Sequence, residues 1–112
     1  MKFCKTFKVG EDEYQARLTA RACVELEKTL GENPLNVFTS LTGNELPSLN
    51  TLLTILKYSL TGLNHSLTMN DVYNLYDKYC DNGGNIASLI EFILDVLKVS
   101  GFIPQEPTKE KN

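Results

Sequence analysis

The stretch from Ile86 to Val99 constrains this chain more than any other. Ten of its fourteen residues are apolar, and the polar ones, Ser88, Glu91, Asp95 and Lys98, are spaced by three, four and three. On a helix that spacing makes one narrow polar stripe. Such a helix is covered around most of its circumference. It is therefore either the central helix of a fold or partly a contact with another chain, a second copy in a homo-oligomer included; of the two, it is expected to be the packing centre. Leu89, Ile93 and Leu97, beside or opposite the stripe, are expected to be nearly inaccessible. No apolar run approaches the ~20 residues of a membrane span, so a membrane is not expected as a partner.

The other segments supply what could cover it. Phe3, Phe7 and Val9 share one side of an extended segment, with Lys5 interrupting the apolar set. Gly10-Glu11-Asp12 reads as a turn, and Tyr14, Ala16 and Leu18 then alternate. This predicts a β-hairpin, which is marginal alone and must pack on helices. A helix over about 20–30 follows from Ala22, Cys23, Leu26 and Leu30, with Thr19 as N-cap and Gly31 as stop. Asn33-Pro34 opens a short helix with Leu35, Phe38 and Leu41 on its apolar side, ended by Gly43. Leu49, Leu52, Leu53, Leu56 and Leu60 define a helix over 48–61 that Ser48 caps and Gly62 closes. Thr68 and Asp71 begin a helix whose stripe is Met69, Val72, Tyr73, Tyr76 and Tyr79 or Cys80. Asp81-Asn82-Gly83-Gly84 breaks it. The expected fold is α+β and mostly helical: an N-terminal hairpin packed on about five short helices. The 112 residues make one domain, residues 1–104, followed by a polar tail at 105–112.

Constellations that would carry chemistry do not assemble. Cys4, Cys23 and Cys80 are odd in number and without metal-ligand spacing, which reads as three thiols in a reducing cytoplasm. The turn between residues 77 and 92 resembles a calcium loop superficially. With Glu91 at loop position 12, position 6 is Asn85; with Gly84 at position 6, position 12 is Ile90. Neither register works, so Asn85 is read as a helix cap. His65, the single histidine, has no nucleophile at a telling spacing, and Gly83-Gly84 is not followed by the Lys-Ser/Thr of a phosphate loop. No catalytic residue, cofactor or metal is expected, and the fold is expected to be metal-independent. A net charge of −3 gives no reason to expect nucleic acid as a partner. A helix–turn–helix needs cations around its recognition helix, and residues 61–100 carry Lys78 and Lys98 against five carboxylates. A small DNA-binding regulator is thus the alternative reading, not the favoured one.

The charge distribution is more telling than the charge. Residues 33–70 contain two charged side chains, Glu45 and Lys57, in a chain that is 22% charged. The outer face of the helix over 48–61 reads Asn50, Thr51, Thr54, Lys57, Tyr58, Ser59 and Thr61. Small uncharged polar groups cost less to desolvate than Lys or Glu, and charge depletion marks interface cores. Thr51, Thr54, Lys57, Tyr58 and Thr61 are therefore the candidate partner-binding residues, with the exposed side of 86–99 contributing. On this reading Thr54→Glu, at a surface position, leaves stability within about 0.5 kcal/mol.

Between Phe7 and Phe38 runs a recognisable pattern: Phe7-Lys8-Val9-Gly10, Glu13-Tyr14, Arg17-Leu18-Thr19-x-Arg21, Leu26-Glu27-Lys28-x-Leu30-Gly31-x-Asn33-Pro34-Leu35 and Phe38. It resembles the tail assembly chaperones of long-tailed bacteriophages and prophages of Gram-positive bacteria, over about the first third of the chain. The resemblance implies a non-enzymatic protein that transiently binds the long helical tape measure protein and tail tube subunits. It also implies a place in the host bacterial cytoplasm and absence from the mature virion. It carries over no binding residue, since the pattern ends before residue 40.

Overall fold

The computed structural model describes residues 4–43, 45–61 and 66–103. Phe3, Gly62, His65, the 105–112 tail and the side chains of Phe38 and Leu41, all used in the sequence reading, lie outside the described residues.

The hairpin follows from alternation and one glycine. Strand β1 (Lys5–Val9) pairs antiparallel with β2 (Asp12–Ala16), Phe7 opposite Tyr14 and Val9 opposite Asp12. Gly10 and Glu11 connect them, and Gly10 adopts φ 63°, a left-handed conformation that suits glycine in a tight turn. Phe7, Val9 and Ala16 point into the core. Lys5, which interrupts the apolar side, instead reaches Asp95 at 3.4 Å. Past β2 the backbone is tied to two helices: the Arg17 N–H donates to the Ser59 carbonyl and the Leu18 N–H to Ser100 Oγ, each at 2.9 Å.

Five helices follow: α1 (Ala20–Leu30), α2 (Asn36–Thr42), α3 (Leu49–Thr61), α4 (Met69–Asp81) and α5 (Ile86–Val99). Four have eleven to fourteen residues, and α2 has seven. Their ends are set by the local chemistry expected of them. Thr19 accepts from the Ala22 N–H, and Gly31 closes α1 in the left-handed region. Ser48 Oγ accepts from the Thr51 N–H at 3.1 Å. Thr68 with Asp71, and Asn85 with Ser88, form reciprocal capping boxes. The short helix differs from expectation. Asn33 caps a turn, its side chain accepting from the Leu35 N–H and its carbonyl from the Asn36 N–H, both at 2.9 Å. Pro34 lies in that turn, and the helix begins at Asn36.

Helix α3, not α5, is the packing centre. It meets α1, α4, α5 and β2, whereas α5 packs chiefly on α3 and β1. Leu52, Leu53, Ile55, Leu56 and Leu60 of α3 are buried, joined by Leu89, Ile93 and Leu97 of α5. The inaccessibility expected for those three α5 residues is observed. Ile90 and Val96 are buried with them, whereas Phe92 and Leu94 are half-buried and Ile86 is exposed. On α4 the core positions are Val72 and Leu75, while Tyr73 is exposed. An aromatic cluster joins hairpin to helices: the Phe7 ring lies 4.9 Å from Tyr79 and 4.8 Å from Phe92, centroid to centroid.

The α4–α5 turn depends on this cluster. The Gly84 N–H donates to the Tyr79 carbonyl at 2.9 Å, and the Tyr79 hydroxyl bonds to Ser88. A Cβ on Gly84 would fall 2.4 Å from the Tyr79 ring. Gly84→Ala is expected to cost about 1–3 kcal/mol by overpacking, and Ile93→Ala about 2–5 kcal/mol by cavity formation. Ile86→Ala should cost less than ~1 kcal/mol. Urea titrations of the three variants check this order; an unaffected Gly84→Ala would contradict the ring's placement.

Candidate partner-binding groove

Because α1 and α4 flank α3, a groove of about 360 Å³ lies between them over α3. Thr29, Leu30 and Glu32 come from the end of α1 and the turn after it. Asn50, Thr51, Thr54, Lys57 and Tyr58 come from α3, and Met69 and Tyr73 from α4. Among the described lining residues only Glu32 and Lys57 carry charge.

Four of the five residues singled out from sequence, Thr51, Thr54, Lys57 and Tyr58, therefore share one groove. Thr61 does not line it; it is half-buried at the end of α3, with its hydroxyl 3.5 Å from the Tyr58 carbonyl. No residue of α5 lines it either, because α5 lies against α3 and β1. The exposed side of 86–99 is thus not continuous with this surface. Two further positions of the expected outer face prove to be interior. Thr54 is 5% exposed and Ser59 1%. Their hydroxyls donate to carbonyls four residues back: Thr54 Oγ1 to Asn50 at 2.6 Å and Ser59 Oγ to Ile55 at 2.8 Å. So paired, each can be buried at small cost. Thr54 forms the floor of the groove rather than an exposed wall.

The rest of the lining is held from neighbouring elements. Thr29 Oγ1 and the Tyr58 hydroxyl are 2.8 Å apart, joining α1 to α3. The Lys57 ammonium lies 4.9 Å from the centroid of the Tyr58 ring, a cation–π contact. Ser48 Oγ donates to Thr51 Oγ1 at 3.0 Å, and the Glu32 carboxylate accepts from Asn36 Nδ2 at 3.1 Å. Tyr73 is 46% exposed and presents ring surface at the rim. Sequence reasoning missed the contributions of α1 and α4. Met69 and Tyr73 had been assigned to a core stripe, and the only signal otherwise was the amphipathic character of tyrosine.

Titratable groups elsewhere have different settings. Burial, then Glu27, raises the Cys23 thiol above its ordinary value, so Cys23 is poorly disposed to react. A hydrogen bond with Cys80, then burial, pushes Tyr76 up to about 12. Asp12, 3.0 Å from the Lys78 ammonium, raises that lysine. Among the described residues no group of three or more His, Cys, Asp and Glu is placed to hold a metal ion. No described helix is long and apolar enough to cross a membrane.

A family model matches residues 1–112, the whole chain. The chain belongs to DUF6096, a family of unknown function. No curated protein and no solved structure matches it. Membership in DUF6096 assigns no role to the groove, whose chemistry has to be argued from its residues.

The burial of Thr54 reverses the expectation for its substitution. Thr54→Glu would place an unpaired carboxylate on the groove floor and is expected to cost at least about 2 kcal/mol. Thr51→Glu puts the same charge in the same groove at the third residue after the Ser48 cap, where glutamate completes a capping box. It should leave stability unchanged within about 0.5 kcal/mol or raise it slightly. Chemical denaturation of both variants checks the contrast; equal stabilities would contradict the buried position of Thr54.

Proposed function

We propose that the chain is a non-enzymatic assembly chaperone for phage tails, binding the tape measure protein and tail tube subunits while the tail is built. Two lines support this reading. The pattern from Phe7 to Phe38 resembles that of tail assembly chaperones, and the charge-poor middle of the chain forms a groove of mixed apolar and small polar lining. The groove is the observation that carries most weight. A chaperone must cover apolar partner surface and later release it. Leu30, Met69 and Tyr73 offer apolar contact, while Thr29, Thr51 and Asn50 lose hydration more cheaply than charged groups. A helical segment can lay an apolar stripe into such a groove. The alternative, a DNA-binding regulator, needs a cationic surface, and the described lining of this groove holds one lysine and one glutamate, a net charge of zero.

Co-expression with a tape measure protein from the same genome, followed by affinity capture, tests the proposal. Capture of the unmodified chain is expected. Thr51→Glu should weaken capture several-fold while retaining the fold, and Glu25→Lys, on the exposed side of α1, should leave it intact. Absence of capture by the unmodified chain, or loss with Glu25→Lys alone, would overturn it.

A further inference from the structure

The single cation of the groove has no carboxylate partner in the described structure. The ion pairs Lys5–Asp95 and Lys78–Asp12 lie elsewhere, and neither involves Lys57. The Lys57 ammonium rests on the Tyr58 ring instead. Glu32, the one carboxylate among the described lining residues, is engaged by Asn36. Lys57 is also one of only two charged residues between positions 33 and 70. A partner lying in the groove would take this ammonium partly out of water. The ring face offsets some of that loss, but a desolvated cation needs a counter-charge.

We infer that the groove takes an amphipathic helix carrying an acidic side chain beside its apolar stripe, and that this carboxylate pairs with Lys57. The inference rests on the proposed function, and adds the chemistry of the segment bound. The apolar stripe meets Leu30, Met69 and Tyr73. The carboxylate meets Lys57, whose position is held by Tyr58, itself bonded to Thr29. The hydroxyl-lined floor tolerates many apolar stripes, so the lysine supplies most of the selection. A stripe flanked by lysine or arginine at that point would set two cations together and be rejected.

The test uses two amphipathic peptides of about 20 residues, ~30 Å as helices, identical except for a central glutamate or lysine beside the apolar stripe. Each is titrated into the full chain labelled with ¹⁵N. The glutamate peptide is expected to bind roughly tenfold more tightly than the lysine peptide, with shifts centred on Thr29, Thr51, Lys57, Tyr58 and Tyr73. Lys57→Glu should reverse the preference, and Lys57→Met should abolish it while leaving the fold intact by amide spectra. Equal affinities, no binding by either peptide, or shifts centred on α5 or the hairpin would overturn the inference. The capture experiment reads the chaperone proposal separately. Capture of the tape measure protein unaffected by Lys57→Glu would sink the acidic-helix inference and leave the chaperone reading standing.

Discussion

Two hydroxyl-to-carbonyl hydrogen bonds inside α3 make the rest of the structure possible. Thr54 and Ser59 each donate to the carbonyl four residues earlier. Their polarity is consumed within the helix, which can then be surrounded by α1, α4, α5 and β2. Groups that need water at these positions would oppose the packing of the surrounding elements on α3. The same helix is then shared by two environments. Its leucines hold the core, and its Asn50, Thr51, Lys57 and Tyr58 line the groove that α1 and α4 define. The hairpin depends on this arrangement too, since the Arg17 N–H is satisfied by the Ser59 carbonyl.

What could be read from the sequence is what local chemistry decides. The hairpin turn at Gly10 and the caps at Thr19, Ser48, Thr68 and Asn85 were legible because each is settled within a few residues. Asn33 was recognised as a cap but assigned to the wrong element, since its side chain serves a turn rather than the first turn of α2. Which helix is central was not legible. The stretch 86–99 looks more apolar than 49–61, because threonine and serine count as polar whether or not their hydroxyls are satisfied internally. Tertiary contact decides that. The same limit explains α4, where Tyr73, expected in the core stripe, is exposed and Leu75, to which the sequence reading gave no role, is buried: a tyrosine at core spacing can as well stand at a groove rim.

The candidate site divides along the same line. Charge depletion between residues 33 and 70 pointed to Thr51, Thr54, Lys57 and Tyr58, which the fold gathers together. The walls supplied by Thr29, Leu30, Glu32, Met69 and Tyr73 belong to segments far away in sequence, and only packing brings them there. Threonine costs less to desolvate than a charged group. For Thr54, however, the neighbour that desolvates it is the protein's own core. The groove floor is accordingly continuous with the core at Thr54. Under the proposed function, a floor already packed in the free chain suits a surface that binds and releases.

The central claim is that one side of α3 holds the fold while the other meets the partner. Amide hydrogen exchange in the free chain and in its complex with the captured tape measure protein tests it most directly. In the free chain, amides between Ile55 and Leu60 should be among the slowest, exchanging only with global unfolding. On binding, new protection should appear at Thr29–Glu32, around Asn50 and Thr51, and at Met69–Tyr73, with α5 and the hairpin unchanged. New protection confined to α5 or to β1 and β2, or fast exchange through the middle of α3 in the free chain, would contradict the account.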